Sequence, residues 1–503
     1  MYNKVISSAV YGVEGTAICV EADVSDGLPM FNMVGYLSSS VKEAAERVRT
    51  ALRNSGYFIP PKRITINLYP ADLRKDGSGF DLPIAIAILL SIGISTELDL
   101  SKIVIIGELG LDGSILPVTG VLPMIHHCYN NGIKMCIIPC DNLKEAALIK
   151  DIDIIAASNL KQVIDFIQGF GEMEVIKGGS INSTICKSKN SVDFCDIKGQ
   201  EMIKRGMEIA ASGFHNVLMS GAAGAGKSML AKALPTIMPE LSFEEKIEVT
   251  KIYSSRGLLE NNDSLINDRP FRAPHHTISN HALVGGGSIP KPGEVTLAHN
   301  GILFLDELPE FNKNVLEVLR QPLEDRKITI SRMKATYVFP ADFMLVAAMN
   351  PCPCGYYPDL SRCRCTPLQI SNYQGKISGP LLDRIDINME VKPLEYEDLL
   401  QNDCNEDSSQ KIRNRVEKAR QIQNRRYKDE IVRFNAQLNA PMIKKYIKLG
   451  YEEEDMLMNE YKNRGLSVRG LHRILKLTRT IADMSGCDEI KKEHIIEAMF
   501  YKR

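Results

Sequence analysis

The stretch GAAGAGKS at residues 221–228 follows the pattern G-x-x-x-x-G-K-S. That spacing suits a loop whose backbone N–H groups face phosphate oxygens, with Lys227 reaching the β- and γ-phosphates and the Ser228 hydroxyl serving Mg²⁺. The candidate cradle is Gly221, Ala222, Ala223, Gly224, Ala225, Gly226, Lys227 and Ser228, and it implies ATP with Mg²⁺. A chance Gly/Ala-rich turn is the alternative, and the flanks argue against it. HNVLMS (215–220) reads as a strand and MLAKALPTIM (229–238) has helical spacing, and a helix N-terminus adds its own attraction for anions.

Further residues downstream could complete a hydrolytic site. GILFLDE (301–307) is an apolar strand ending in two carboxylates; Asp306 would hold the Mg²⁺ water shell and Glu307 would polarise the attacking water. FMLVAAMNPC (343–352) is a second buried strand, ending at Asn350, placed to orient that water. GPLLDRIDI (379–387) carries Arg384, whose guanidinium suits charge developing on a transferred phosphoryl group. For Arg384 taken alone, a surface salt bridge with Asp383 or Asp386 is the ordinary reading.

CPCGYYPDLSRCRC (352–365) arranges Cys352, Cys354, Cys363 and Cys365 as C-x-C-x₈-C-x-C. Four thiols around a short loop can hold Zn²⁺ tetrahedrally; a reduced, metal-free loop is the equal alternative. His275, His276, His281 and His299 lack such tight spacing, so loop contacts are expected of them rather than a second metal.

Several elements must position these groups. Residues 1–168 alternate strand-like runs (ITINLYP, IVIIGEL, MCIIPC) with helical ones such as SVKEAAERVRTALRNSG (40–56), predicting an α/β domain. A polar linker follows at 169–192, then a nucleotide-binding α/β core at 193–400, then a charge-rich helical region at 401–503. At 503 residues the chain exceeds what one core organises. The longest apolar run, LPIAIAILLSIGI (82–94), fits a buried helix rather than a membrane span, and the N-terminus lacks a signal peptide's plan. Twelve cysteines with one tight cluster predict a reducing, cytoplasmic setting. A net charge of −1 gives no global field for nucleic acid, so contact with DNA would need local patches.

The motifs resemble the ComM/YifB family of magnesium-chelatase-like AAA+ proteins along nearly the whole chain. The stretches that carry the resemblance are DIKGQEMIKRGMEIAASGFHN (196–216), RPFRAPHHTIS (269–279), GGGSIPKPGEVTLAHNGILFLDELPEF (285–311), AAMNPCPCG (347–355), ISGPLLDRIDI (377–387) and LSVRGLHRILKLTRTIAD (466–483). One departure is Ala222-Ala223, where the family's loop usually reads Pro-Pro. By this resemblance Asn350 is sensor 1, Arg384 the arginine finger and Arg469 sensor 2, and the fold is an AAA+ P-loop α/β core with a C-terminal helical lid. A finger that acts across a subunit boundary implies a ring, usually a homo-hexamer. LRKDGSGFDLPIAIAIL (73–89) and ILPVTGVLPMI (115–125) resemble the proteolytic α/β domain of Lon, with Gly79 at or near the nucleophile's position and Leu122 at the lysine's. A Lon-like fold without proteolysis is expected.

The function implied is a ring ATPase that moves on single-stranded and branched DNA, driving branch migration of recombination intermediates during natural transformation. In related motors, hairpins such as KITISRMKATYVFP (327–340) point into the pore. Arg332 and Lys334 near its tip would touch phosphates without reading bases. The helix KIRNRVEKARQIQNRRYK (411–428) is a weaker candidate, since such runs are usually solvated faces. The rival reading is a chelatase-type motor that remodels a protein partner, and the Lon-like domain argues against it.

Overall fold

The computed structural model describes residues 2–179, 192–259, 265–287, 290–332, 335–393, 408–463 and 465–502. The chain forms two compact units: Met1–Ile185 with Phe243–Ile266, and Cys186–Ser242 with Asn267–Arg503. Much of the 169–192 linker and of the connection after residue 393 lies outside the described residues, as does Lys334. The expected 193–400 core is interrupted, because Phe243–Ile266 leaves it for the first unit. There Lys251 Nζ meets Glu14 Oε2 at 2.7 Å and Ser254 Oγ donates to Glu145 Oε2 at 2.8 Å.

The first unit is an eight-stranded mixed sheet. Its order is Val175–Lys177, Asp153–Ala157, Met135–Pro139, Ile103–Ile105, Tyr2–Tyr11, Glu14–Ser25, Arg63–Tyr69 and Met30–Val34. Helix Ser39–Asn54 starts where the Ser38 hydroxyl accepts from Val41 N, and buries Val41, Ala44, Val48, Ala51 and Leu52, a spacing of three and four that makes one apolar face. The apolar run at 82–94 forms helix Asp81–Ser91, buried at all eleven positions. Among the described residues no helix is long and apolar enough to cross a membrane. IVIIGEL does not run as one strand: it breaks at Ile106-Gly107, where the Ile106 amide turns to Ile137 O and the Gly107 amide to Gly79 O.

At the Lon-like positions, a Cβ on Gly79 would meet Val118 Cγ1 at 3.0 Å, and Leu122 is fully buried. The Ser78 hydroxyl donates to Glu108, while Lys75, the buried lysine of that loop, donates to the Pro70 and Leu73 carbonyls. No Ser–Lys pair forms among these groups.

The second unit is built on a five-stranded parallel sheet in the order Phe271–Arg272, Ile302–Leu305, Met344–Met349, Val217–Gly221, Ile387–Val391. A parallel sheet covered on both faces demands continuous apolar strands, and Met344–Met349 is buried throughout. The helical region expected at the C-terminus is Ser409–Arg426, Ala440–Tyr446, Tyr451–Asn463, Val468–Met484 and Lys492–Phe500. The basic helix 409–426 divides its cations: Arg426 pairs with buried Asp483, Arg420 lies on the Phe434 ring at 3.7 Å, Arg413 and Arg415 pair with Glu240 and Glu208, and Lys411, Lys418 and Arg425 are exposed.

Candidate nucleotide site

Three neighbouring strand ends of the second unit converge on the cradle. Val217–Gly221 delivers the loop, Ile302–Leu305 delivers Asp306-Glu307, and Met344–Met349 delivers Asn350. Helix Lys227–Ile237 opens at Gly226, whose φ of 90° is left-handed and strains any residue with a Cβ. Gly221 has a different reason to be glycine: a Cβ there would stand 2.3 Å from Val391 O of the adjoining strand.

Lys227 Nζ donates to Gly221 O at 2.6 Å, Ala222 O at 2.8 Å and Asn350 Oδ1 at 3.1 Å. Burial lowers its pKa, and the charges of Asp306 and Glu307 oppose that shift. The amine is thus held where phosphate oxygens can replace the carbonyls. Ser228 Oγ donates to Asp306 Oδ2 at 2.7 Å, which joins the two groups that would hold Mg²⁺. The Glu307 amide donates to Asp306 Oδ1 at 2.9 Å. Glu307 sits at φ 53°, a left-handed conformation costing on the order of 1–3 kcal/mol in a non-glycine residue. Its carboxylate is half exposed and meets His276 Nδ1 at 3.4 Å. The motifs singled out Glu307 but not its histidine partner; the adjacent His275-His276 pair was the available signal.

The arginines lie elsewhere on the unit. Arg384 donates to Pro380 O at 2.7 Å and pairs with Glu324, neither of them in the 221–228 loop. Arg469 approaches the same Glu324 at 3.6 Å. Asp383 and Asp386, the partners expected of an ordinary salt bridge, are engaged by Arg473 and His215 instead. Nothing in the local pattern around Glu324 distinguishes it from an ordinary helix-surface acid.

Cys352, Cys354, Cys363 and Cys365 bring their sulfurs within 4.8 Å of one another. The separations of 3.3, 3.7 and 3.6 Å among the first three are close to the edge of a ZnS₄ tetrahedron, about 3.8 Å for bonds of about 2.3 Å. The Tyr357 amide donates to Cys352 Sγ at 3.4 Å, and a hydrogen bond from the Tyr356 amide pulls the Cys354 thiol down to about 6. The donor set therefore fits zinc. Gly355 of this loop lies against Ala223, next to the nucleotide loop. His281 and His299 are spread over separate loop contacts, and the cysteines form the metal-competent group found among the described residues. Residues Lys327–Arg332 and Ala335–Pro340 form the expected hairpin, with Arg332 opposite Ala335 and exposed at its end.

A family profile described as magnesium chelatase, subunit ChlI matches residues 193–399, one described as its C-terminal part matches 406–502, and one described as subunit ChlI of Mg-chelatase matches 20–142. The chain is 44% identical to Competence protein ComM of Haemophilus influenzae over 509 residues, covering 99% of this chain and 97% of that protein. The chain belongs to the ComM/YifB family. YifB of Escherichia coli, itself described as uncharacterized, is 42% identical over 98% of this chain and 96% of its own length. The magnesium-chelatase 67 kDa subunit of Chlorobaculum tepidum is 26% identical over 164 residues, 32% of this chain and 23% of that subunit. A chelatase description also attaches to the match at 20–142, so the N-terminal unit by itself does not separate the two readings. ComM/YifB relatives align from end to end and the chelatase subunit over a third of this chain, which bears on family and not on the motor's substrate.

Proposed function

We propose that this ComM/YifB-family chain is an AAA+ ATP hydrolase that moves on single-stranded and branched DNA as a homo-oligomeric ring, driving branch migration. The observation that carries the hydrolase reading is the junction of Ser228 with Asp306 at 2.7 Å and of Lys227 with Asn350 at 3.1 Å, with Glu307 beside them. A bound Mg²⁺ would neutralise charge between the β- and γ-phosphates. The chain's own groups do the rest: Lys227 binds the phosphates, Asn350 orients a water and Glu307 accepts its proton. Arg384, tethered away from the loop of its own chain, suits a neighbouring subunit's site, and this is the support for a ring. The end-to-end similarity to a protein named for competence supports a role in DNA uptake and recombination. The four cysteines are read as a structural Zn²⁺ site bracing the loop after Asn350. In the N-terminal unit, Leu122 and the Ser78–Glu108 pairing support a fold that no longer cleaves peptides.

A chelatase-type motor acting on a protein partner is the second reading, favoured by the three chelatase-described profile matches. One experiment separates the two: the ATPase rate with no DNA, with single-stranded DNA and with a four-way junction, together with strand movement on that junction. Stimulation and movement are expected. Robust hydrolysis that neither DNA changes, with no strand movement, would favour the protein-remodelling motor.

A further inference from the structure

Four residues past Arg469, on the same helix Val468–Met484, Arg473 is nearly enclosed, with 12% of its side chain exposed. One Nη1 donates to Ile385 O at 2.6 Å and Leu382 O at 3.1 Å, and Nη2 meets Asp383 Oδ1 at 3.0 Å. These three acceptors bracket Arg384 on both sides in the chain. A cavity of about 660 Å³ is lined by Leu382, Asp383 and Arg473, and a second of about 140 Å³ by Arg384, Asp386 and Arg473. The turn that presents Arg384 is therefore not packed against apolar side chains on those two sides. Between the cavities the Arg473 guanidinium holds the Leu382 and Ile385 carbonyls, while Asn216 Nδ2, just ahead of strand Val217–Gly221, donates to Arg384 O at 2.9 Å.

We propose that Arg473 is the positioning residue of the arginine finger, fixing the 382–385 turn so that Arg384 is presented at one height and direction. The division of labour is spatial: Arg473 and Asn216 hold the backbone, Arg473 on the carbonyls at 382 and 385, while Glu324 and the Pro380 carbonyl hold the Arg384 guanidinium. Only a planar fork of donors reaches two carbonyls and a carboxylate at once; an ammonium on a flexible stem satisfies part of that set. Because Arg473 shares its helix with Arg469, any movement of that helix carries the finger turn with it. The inference rests on Arg384 acting on a neighbouring subunit's nucleotide.

The test compares wild type, Arg473→Gln, Arg473→Lys and Arg384→Ala for kcat, KM for ATP and thermal unfolding, alone and mixed with Glu307→Gln subunits. For Arg473→Gln, kcat should fall about tenfold or more at little-changed KM, since misplacing a catalytic group by about 1 Å costs rate rather than binding. Arg473→Lys should recover part of that loss. Mixing Arg473→Gln with Glu307→Gln should raise activity above either alone, because the first supplies an intact loop and the second an intact finger. A merely structural role would lower the unfolding temperature without that complementation. If Arg473→Gln does not fold, the Lys variant carries the same kinetic and mixing tests. Wild-type hydrolysis with an unchanged Arg473→Gln kcat, a rise in KM alone, or no gain on mixing where the Arg384→Ala mixture does gain would overturn this inference only; no gain in either mixture would overturn the trans-acting Arg384 as well. Absence of hydrolysis by wild type would overturn the hydrolase reading and this inference with it.

Discussion

Glu307 occupies a left-handed backbone conformation with its carboxylate half exposed beside His276. Strain of that kind persists where surrounding structure enforces it, and here the Asp306 carboxylate holds the Glu307 amide. Glu307→Gln should keep ATP binding and lose turnover by about a hundredfold or more, the range expected when a general base is removed. Lys227→Ala should instead weaken binding itself. Equilibrium nucleotide titration beside phosphate-release kinetics checks both, and normal turnover by Glu307→Gln would sink the assignment of the base. The glycines illustrate why motif and cause differ: Gly226 answers to its φ, Gly221 to the neighbouring strand's carbonyl.

At the scale of elements, the cysteine loop and the C-terminal helices each make a prediction. Protein purified without chelators should carry about one Zn²⁺ per chain, and Cys352→Ser with Cys354→Ser should lose it, because two remaining thiols cannot close a four-coordinate site. Metal analysis that finds no zinc in the wild type settles for a reduced loop. Among the helices, the buried Asp483 receives Arg426 at 2.8 Å, Arg479 at 3.0 Å and Asn435 at 2.9 Å, tying helices Ser409–Arg426 and Val468–Met484 together. Asp483→Asn leaves two enclosed guanidinium groups short of their counter-charge. It should cost about 3 kcal/mol of stability, read by denaturant unfolding. A loss within experimental scatter would mean that solvent reaches the cluster. The hairpin ending at Arg332 makes the third prediction. Arg332→Ala should keep basal hydrolysis, reduce DNA stimulation and lower the salt slope of DNA binding by about one. An unaltered slope places the phosphate contacts elsewhere.

For the whole molecule, the proposed ring implies that no chain holds a finished site. Arg384→Ala should bind ATP yet hydrolyse it poorly, and mixing it with Glu307→Gln should restore activity at junctions where an intact loop faces an intact finger. Recovery that depends on the mixing ratio is the expected result; strictly additive, inactive mixtures would place Arg384 in service of its own chain. The chain topology adds a second feature of the same scale. The segment Phe243–Ile266, which follows closely on the nucleotide-loop helix, folds as part of the first unit. Chain therefore passes between the units on either side of that segment as well as through the 169–192 connection.

The sequence alone determined the cradle at 221–228, the carboxylates at 306–307, the strand ending at Asn350 and the cysteine cluster. Each is a local pattern whose chemistry demands particular residue types at short spacing. It also determined the alternation of apolar strands and helices, since a parallel sheet buried on both faces cannot be written any other way. Only the tertiary structure decided that Glu324 takes both Arg384 and Arg469, that Arg473 grips the 382–385 turn, that His276 meets Glu307 and that Arg426 of the basic helix meets buried Asp483. It likewise moved 243–266 into the first unit. These partners lie far apart in the chain, and an acid or a base on a helix carries no local mark of which opposite charge it will meet. That pairing is fixed by how the helices pack, and packing is a property of the folded chain.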